Sequence, residues 1–323
     1  MSKYRVEQIG ADKFHLLIPL MKDCFGMDVN IGYFHWKYID NPAGHFIGFI
    51  AIENETNEVG AYYGVVPQNF IIDGKKQTIY QSCDTMTHSE HRRLGLFKML
   101  ALECFRYLEE NNKLFIIGFG GSQSTPGFLK FGWKHIFDFR YYFKPHLFCQ
   151  AARMHSFSNE NFKEVSDVSV LESFVSKPDQ EKTIHSGRNV KHIGWRTNNP
   201  HFTYKIITFS QKEVIEGYVI FYVQKSKMIL FDFRFSSNKA EKELLWYLSK
   251  EVIKFNYKGI IAYCQENGKY AKKLKRNAFV ANPFKKGPLA ERTPFIIFAP
   301  PDVIDKNSDA SKWQMTSYDT DAL

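Results

Sequence analysis

A short basic segment, His88 to Lys98, holds the residues whose types and spacing best suit chemistry. In this segment Arg92, Arg93 and Lys98 lie on either side of a single glycine, Gly95. Glycine lets the backbone approach a ligand closely, and guanidinium groups bind phosphate oxygens through paired hydrogen bonds. The pattern favours a pyrophosphate site, although the same residues also suit an ordinary helix start with solvent-facing arginines.

The elements on either side would place this segment at a strand–helix junction. Residues Ile79 to Thr87 are apolar and β-favouring and predict a strand. From Leu96 onward the apolar residues recur at helical spacing, and Leu114 to Phe119 predicts the next strand. The first N–H groups of a helix have no internal partner, and the helix dipole is positive there. We therefore expect this junction to present N–H groups to an anion.

The segment resembles the acyl-CoA-binding stretch of the GNAT acyltransferase superfamily, whose signature is Gln/Arg-x-x-Gly-x-Gly/Ala. Arg92 fills the first position and Gly95 the second, whereas Phe97 stands where a small residue is usual. The resemblance implies acetyl-CoA or another acyl-CoA as co-substrate, with the turn holding the pyrophosphate and the strand edge pairing with the pantetheine arm. The residues given these roles are Arg92, Arg93, Leu94, Gly95, Leu96, Phe97 and Lys98 at the turn, and Met86 and Thr87 at the strand edge.

The resemblance also implies direct transfer of the acyl group to an amine, which needs a proton acceptor and a polarised carbonyl. Asp84 and His88 lie nearest the predicted cofactor, and Asp84 suits either a general base or a structural carboxylate. Many family members carry a tyrosine that protonates the CoA thiolate, but the matching position here is Phe128. That departure leaves Ser122, Ser124 or a water to bond the thiolate. The catalytic candidates are thus Asp84, His88 and Ser124.

The C-terminal half reads as a diverged second copy of the N-terminal half. Residues 36–42, with the sequence WKYIDNP, match residues 195–200, with the sequence WRTNNP. Similar strands and a long helix, Lys239 to Phe255, follow the second motif. The matching turn, Phe235 to Lys242, lacks glycine, so one cofactor site is expected. We predict a fold of the α/β (α+β) class with two tandem GNAT-like units, each a mixed, mostly antiparallel twisted sheet flanked by helices.

The predicted domains are residues 1–148, which bind acyl-CoA, a linker at 149–165, and a degenerate second unit at 166–299. The tail, 300–323, is polar, and disorder is the ordinary expectation for it. Trp313 and Tyr318 suggest docking instead.

The amino-acid composition indicates which classes of ligand and partner the protein is expected to bind. Lys and Arg exceed Asp and Glu by 43 − 34 = 9, and the sequence pI is about 9.1, which favours acidic partners such as CoA or nucleotide-linked sugars. Five scattered cysteines without CxxC spacing suggest reduced thiols in a cytoplasmic protein, and no metal-ligand spacing appears. No apolar run reaches transmembrane length, and nucleic acid is not an expected partner because no binding module is recognised. The sequence leaves a homodimer open.

These inferences predict an acyl-CoA-dependent N-acyltransferase acting on a small-molecule amine. The family context suggests an amino sugar, nucleotide- or lipid-linked, in surface polysaccharide synthesis. Two alternatives stay open: a Fem-type peptidyltransferase that uses aminoacyl-tRNA, and a non-catalytic protein that binds acyl-CoA. The Arg92 to Gly95 turn favours CoA over the Fem-type hypothesis, whereas Phe128 keeps the non-catalytic hypothesis open.

Overall fold

A computed structural model describes residues 3–121, 124–156, 158–176 and 183–320. Its strands are β1 Tyr4–Gln8, β2 Ile47–Glu53, β3 Val59–Ile72, β4 Lys75–Thr87, β5 Ile116–Phe119, β6 Lys134–Pro145, β7 Phe162–Val165, β8 His185–Ser186, β9 Lys205–Gln211, β10 Val214–Gln224, β11 Lys227–Phe235, β12 Gly259–Gln265 and β13 Arg292–Phe298. Its α-helices are α1 Leu17–Phe25, α2 Ile31–Phe34, α3 Leu96–Glu110, α4 Thr125–Lys130, α5 His146–Cys149, α6 Glu172–Val175, α7 Val190–Thr197, α8 Asn238–Lys254, α9 Lys269–Arg276 and α10 Pro301–Asn307. None of these helices is long and apolar enough to cross a membrane.

The chain divides into two compact units that are not contiguous in sequence. Unit 1 takes Met1–Phe70, Lys76–His135 and Ile296–Ser308. Unit 2 takes Ile71–Lys75, Ile136–Phe295 and Asp309–Leu323.

Unit 1 combines antiparallel strands with one parallel pair. Strands β1, β2 and β3 pair antiparallel in that order, and β4 lies next to β3. The chain then passes through α3 and returns as β5, which is parallel to β4. Helix α3 covers the sheet because its apolar residues recur every three or four positions. Its buried residues are Leu96, Leu100, Ala101, Cys104, Phe105 and Leu108.

Unit 2 repeats this order of elements. Strands β7, β9, β10 and β11 pair antiparallel, and β12 is parallel to β11 after the crossover through α8. Strand β6 adds an antiparallel partner to β12. The core lies between this sheet and α8, whose buried residues include Leu244, Leu245 and Leu248.

The predicted fold class, a mixed and mostly antiparallel α/β architecture flanked by helices, is confirmed. The predicted strand before the turn is longer than expected and begins at Lys75, whereas the helix begins at Leu96 as predicted. The predicted domain boundaries stay a prediction. The two compact units divide the chain at other residues. Part of the expected linker, 149–165, forms β7, which pairs with β9.

The C-terminal residues are ordered within unit 2. Trp313, Met315 and Tyr318 are at most 1% exposed. The tail is therefore docked, as its aromatic residues suggested, and the ordinary expectation of disorder is wrong for residues 309–320.

Candidate active site

Strand β4 has an irregular backbone conformation at Asp84. This residue has a φ of 47°, a left-handed conformation that is uncommon inside a strand and typical of a bulge. The parallel pairing with β5 joins Tyr80–Ser82 to Ile116–Gly118, whereas β4 continues to Thr87. Within the described residues, the edge of β4 beyond Ser82 is therefore not paired with β5. Bulges of this kind are common next to active sites because they re-aim a side chain.

The Asp84 carboxylate is held by two side chains that sequence reasoning missed. Its Oδ2 lies 2.7 Å from Lys37 Nζ and accepts a 2.6 Å hydrogen bond from Tyr38 Oη. The Asp84 and Lys37 side chains are 11% and 5% exposed. Burial and the nearby Asp84 charge raise the pKa of Tyr38 well above its usual value, so Tyr38 stays a hydrogen-bond donor at neutral pH.

Lys37 and Tyr38 belong to a π-helical turn, His35–Ile39, that follows α2. Such turns are rare and often occur at functional sites. From the sequence, a lysine followed by a tyrosine in an aromatic segment is expected to be a surface residue next to a core residue. No short-range signal links it to an aspartate 46 residues away.

His88 caps the turn after β4. Among the described residues it makes no hydrogen bond to Asp84. Its side chain accepts from the backbone N–H of Glu90 and begins a 3₁₀ turn, Ser89–His91. Asp23, a residue the sequence did not single out, accepts 2.8 Å bonds from the Ser89 N–H and hydroxyl. These bonds lower the pKa of Asp23.

The charges around the turn lie close together. Asp23 is 3.9 Å from His88 Nε2 and 4.0 Å from Arg92 Nη2. Arg92 Nε also donates to the carbonyl of Thr87 at 3.3 Å. Arg92 therefore fixes the turn to the end of β4 at the predicted pantetheine edge. Met86, the other residue of that edge, has its side chain buried.

The N-terminus of α3 is open to solvent and has no side-chain cap. Gly95 is the N-cap residue with a φ of 77°, and Arg93 has a φ of 64°. Residues 92–95 are all exposed, Leu94 included, and Leu96 is the first buried residue of the helix. Lys98 is exposed, with its ammonium 5.7 Å from the ring centre of Phe131. Uncapped N–H groups beside arginines form a suitable anion site.

The two departures from the family pattern pack against each other. Phe97, at the usual small position, meets Phe128, at the usual tyrosine position, with ring centres 5.1 Å apart and perpendicular planes. Phe128 also packs on Trp133 and is buried. Both positions are therefore part of the unit 1 core, and Phe128 supplies no proton donor.

Ser124 precedes α4, and its hydroxyl donates to the Gly121 carbonyl at 3.4 Å. This contact lies within the local turn, and among the described residues Ser124 makes no bond to Asp84 or His88. Ser122, the other serine considered for the thiolate, lies outside the described residues.

Glu53, Glu58 and His91 bring ligand atoms within 4.8 Å of one another. Two of the three already have partners: Glu53 pairs with Lys3 at 2.8 Å, and His91 Nδ1 is hydrogen-bonded to Tyr4 Oη at 2.7 Å. His91 is thus buried and bonded within unit 1. We assign no metal to this group.

Comparison with known proteins supports the fold and the family. Residues 5–136 match the family model described as acetyltransferase (GNAT) domain. The N-terminal part of the chain is therefore similar to a GNAT domain, in agreement with the resemblance of the turn. No curated protein matches the sequence.

Solved structures with similar folds cover almost the whole chain. A probable N-acyltransferase from Enterococcus faecalis V583 aligns with a TM-score of 0.71 and 13% identity, over 92% of this chain and 72% of that one. A GCN5-related N-acetyltransferase from Anabaena variabilis ATCC 29413 aligns at 0.67 and 11%, over 91% and 72%. Saccharomyces cerevisiae N-myristoyltransferase with bound myristoyl-CoA aligns at 0.63 and 12%, over 98% and 90%. At these identities the likeness concerns the fold, and it extends through both units.

Proposed function

We propose that the chain is an acyl-CoA-dependent N-acyltransferase of the cytoplasm, with acetyl-CoA as donor and an amino sugar, nucleotide- or lipid-linked, as acceptor. The observation that supports it most is the uncapped N-terminus of α3 beside Arg92 and Arg93, next to the part of β4 that is not paired with β5 in the described residues. In this proposal the N–H groups after Arg92 bind the pyrophosphate, and the edge at Met86 and Thr87 bonds the pantetheine arm.

The acceptor part of the proposal is supported by charge and family context. The net charge of +9 favours an anionic substrate such as a nucleotide-linked sugar. The acyl group passes directly from sulfur to the acceptor nitrogen, without an acyl-enzyme. A role in surface polysaccharide synthesis belongs to the same proposal.

Thermal unfolding with and without acetyl-CoA tests the cofactor site. A ligand at about 100 times its Kd adds roughly 2.7 kcal/mol to the free energy of unfolding. We expect Arg92→Ala combined with Gly95→Asp to abolish the shift, because a carboxylate and a lost guanidinium both disfavour a pyrophosphate. A Cβ at Gly95 meets no atom within 4 Å beyond its chain neighbours, so Gly95→Asp strains the fold through the positive φ, and Arg92→Ala removes the bond to the Thr87 carbonyl.

The matched control is Arg106→Ala, which removes an exposed arginine from the other end of α3. The control should keep the full shift with acetyl-CoA. An unchanged affinity in the double variant would refute the cofactor assignment. Release of CoA thiol with amino-sugar acceptors then tests transfer, and dependence on charged tRNA would favour the Fem-type alternative.

A non-catalytic acyl-CoA-binding protein is the second candidate. The burial of Phe128 in the core favours it, because no tyrosine acid is available at that position. Binding of acetyl-CoA without CoA release for any amine tested would support this candidate.

A further inference from the structure

The C-terminal end of α8 in unit 2 borders an open cavity of about 470 Å³. Three cations, Arg153, Lys250 and Lys254, line this cavity together with one carboxylate, Glu251. Glu251 lies 3.8 Å from Lys254 Nζ, whereas the Arg153 guanidinium has no ion-pair partner among the described residues. A cavity of this size with an excess of positive charge suits an anionic group such as a phosphate.

Large apolar side chains are exposed on the helical segment 146–154, which packs beside α8. Cys149 and Ala152 of this segment are buried and hold one side of it against unit 2. Leu147 and Met154 are 73% and 90% exposed. Side chains of this size in water are common singly, but here two of them share a short segment with a lining cation of the cavity.

The end of α8 adds another exposed apolar group close to the cavity. Phe255 directly follows Lys254 and is exposed, with Lys254 Nζ 5.0 Å from its ring centre. The segment 146–154 begins at the same end of α8, because the His146 N–H donates to the Lys258 carbonyl at 3.0 Å. Lys258 is itself exposed. Exposed apolar side chains among lysines and an arginine are typical of surfaces that lie at a membrane interface.

We propose that this part of unit 2 binds the surface of an anionic lipid membrane. Arg153, Lys250 and Lys254 bind lipid phosphates there, and Leu147 and Met154 enter the boundary between headgroups and acyl chains. We call these five residues the basic apolar face. The inference concerns where the protein lies and does not depend on acyl transfer.

The combination of charge and apolar surface selects a membrane over a soluble anion. A free phosphate or nucleotide would pair with the three cations of the basic apolar face but would leave Leu147 and Met154 in water. An anionic membrane attracts the cations and also removes the apolar side chains from water. Both parts of the face therefore contribute to binding only when the partner is a lipid surface.

Co-sedimentation of the whole chain with lipid vesicles tests the proposal. Vesicles of phosphatidylcholine alone should bind little protein, whereas vesicles that also contain phosphatidylglycerol should bind it. The affinity should fall at about 1 M salt, where the Debye length is only roughly 3 Å. Arg153→Gln combined with Lys254→Gln should lower the affinity about 20-fold, since each cation near an anionic surface contributes roughly fivefold.

A second variant tests the apolar part of the basic apolar face. Leu147→Ser combined with Met154→Ser should lower the affinity for the anionic vesicles roughly tenfold, because the inserted apolar area is lost. Both side chains are exposed, so the melting temperature of this variant should match that of the wild type.

The matched control is Lys272→Gln combined with Arg276→Gln, which removes the same charge from exposed positions of α9 in the same unit. It should bind the anionic vesicles as the wild type does. An equal loss of affinity in the control would show that net charge alone causes binding, and would overturn the assignment of the face.

Two further outcomes would contradict the proposal. Wild-type protein that does not bind the anionic vesicles overturns it directly. Stabilisation by inorganic phosphate, with vesicle binding unaffected by the Leu147→Ser and Met154→Ser changes, would assign the cavity to a soluble phosphate instead. The thermal shift with acetyl-CoA, measured on the same protein, reports on the proposed function separately, so failure of one does not imply failure of the other.

Discussion

Each unit contains an aspartate on the strand that precedes its long helix; Asp232 of unit 2 is buried, whereas Asp84 of unit 1 is only partly buried. Asp84 lies on β4 and Asp232 on β11, each three residues before the end of its strand. Both accept a hydrogen bond from a tyrosine, from Tyr38 at 2.6 Å and from Tyr218 at 2.8 Å. Both sit at an irregularity of their strand, since the pairing of β10 with β11 shifts register beside Asp232.

The two aspartates differ in the cation that binds them. Asp84 has one lysine on one oxygen. Asp232 has the fork of Arg188, with Nε 3.0 Å from one oxygen and Nη2 3.1 Å from the other. Arg188 Nη2 also lies 3.1 Å from Asp319, and all three charged groups are at most 1% exposed. No oxygen of Asp232 is left for a ligand.

The C-terminal segment explains the difference. In unit 2 the parallel pairing of β11 with β12 ends at Leu230 and Ala262. Just beyond it, the Ser317 hydroxyl donates to the carbonyls of Leu230, at 3.4 Å, and Tyr263, at 3.0 Å. The chain itself therefore occupies the place beyond the parallel pairing that, in our proposal, an acyl-pantetheine occupies in unit 1. The comparison shows that one arrangement serves as a core when covered and as a candidate site when left open.

Removal of residues 309–323 should have the largest effect on this comparison. The deletion exposes the surroundings of Trp313, Met315 and Tyr318, each worth about 1.5–3 kcal/mol when buried. We expect unit 2 to lose roughly 5 kcal/mol or more of its free energy of unfolding, measured by urea denaturation. A synthetic peptide of residues 309–323 should restore stability in trans. An unchanged urea midpoint would contradict the view that the segment completes the unit 2 core.

Matched asparagine substitutions compare the two aspartates directly. Asp232→Asn breaks a fully buried pair and should cost about 3–5 kcal/mol. Asp84→Asn weakens a partly exposed contact and should cost about 1–3 kcal/mol. Both are measured by denaturant unfolding of the whole chain. Equal losses would mean that Asp84 is as structural as Asp232.

Acid should lower the stability of unit 2 through His192, whose Nδ1 lies 2.6 Å from Tyr318 Oη in the docked tail. Burial, and then the charges of Arg196 and Arg188, lower the pKa of His192 to about 3. In the unfolded chain a histidine titrates near 6.5, so the unfolded state binds more protons between those values and stability rises with pH across that window. Acidification to pH 5 should therefore cost about 2 kcal/mol.

His192→Asn removes this titration and is the control. Its plot of unfolding free energy against pH should be flatter than that of the wild type between pH 4 and 6.5. Parallel plots for the two proteins would show that another group causes the acid sensitivity.

Local patterns predicted the secondary structure around the turn before α3 better than the contacts of either aspartate. The helix start at Leu96 and the turn before it could be predicted because they depend on neighbouring residues: a glycine, arginines and an apolar repeat. The partners of Asp84 could not, because Lys37 and Tyr38 are brought to it by a π-helical turn that no sequence pattern indicates. For the tail, Trp313 and Tyr318 suggested docking, but the partners of its polar residues could not be predicted, since Asp319 accepts from Arg188, which lies 131 residues away in the sequence.

The helix starts offer the smallest and most local comparison. In unit 2, α8 is capped by Ser237, which accepts from the Ala240 N–H at 3.0 Å, whereas α3 of unit 1 starts at Gly95 with no side-chain cap. We expect Ser237→Ala to cost about 1 kcal/mol, as loss of a serine cap usually does, and to leave the thermal shift with acetyl-CoA unchanged. Thermal unfolding of the variant with and without acetyl-CoA measures both quantities. A smaller shift in Ser237→Ala would mean that the ligand also uses α8, and the assignment of a single site at the uncapped helix would then be wrong. An unaltered shift, with lowered stability, is the result expected if one helix start is closed by its own serine and the other is left for the cofactor.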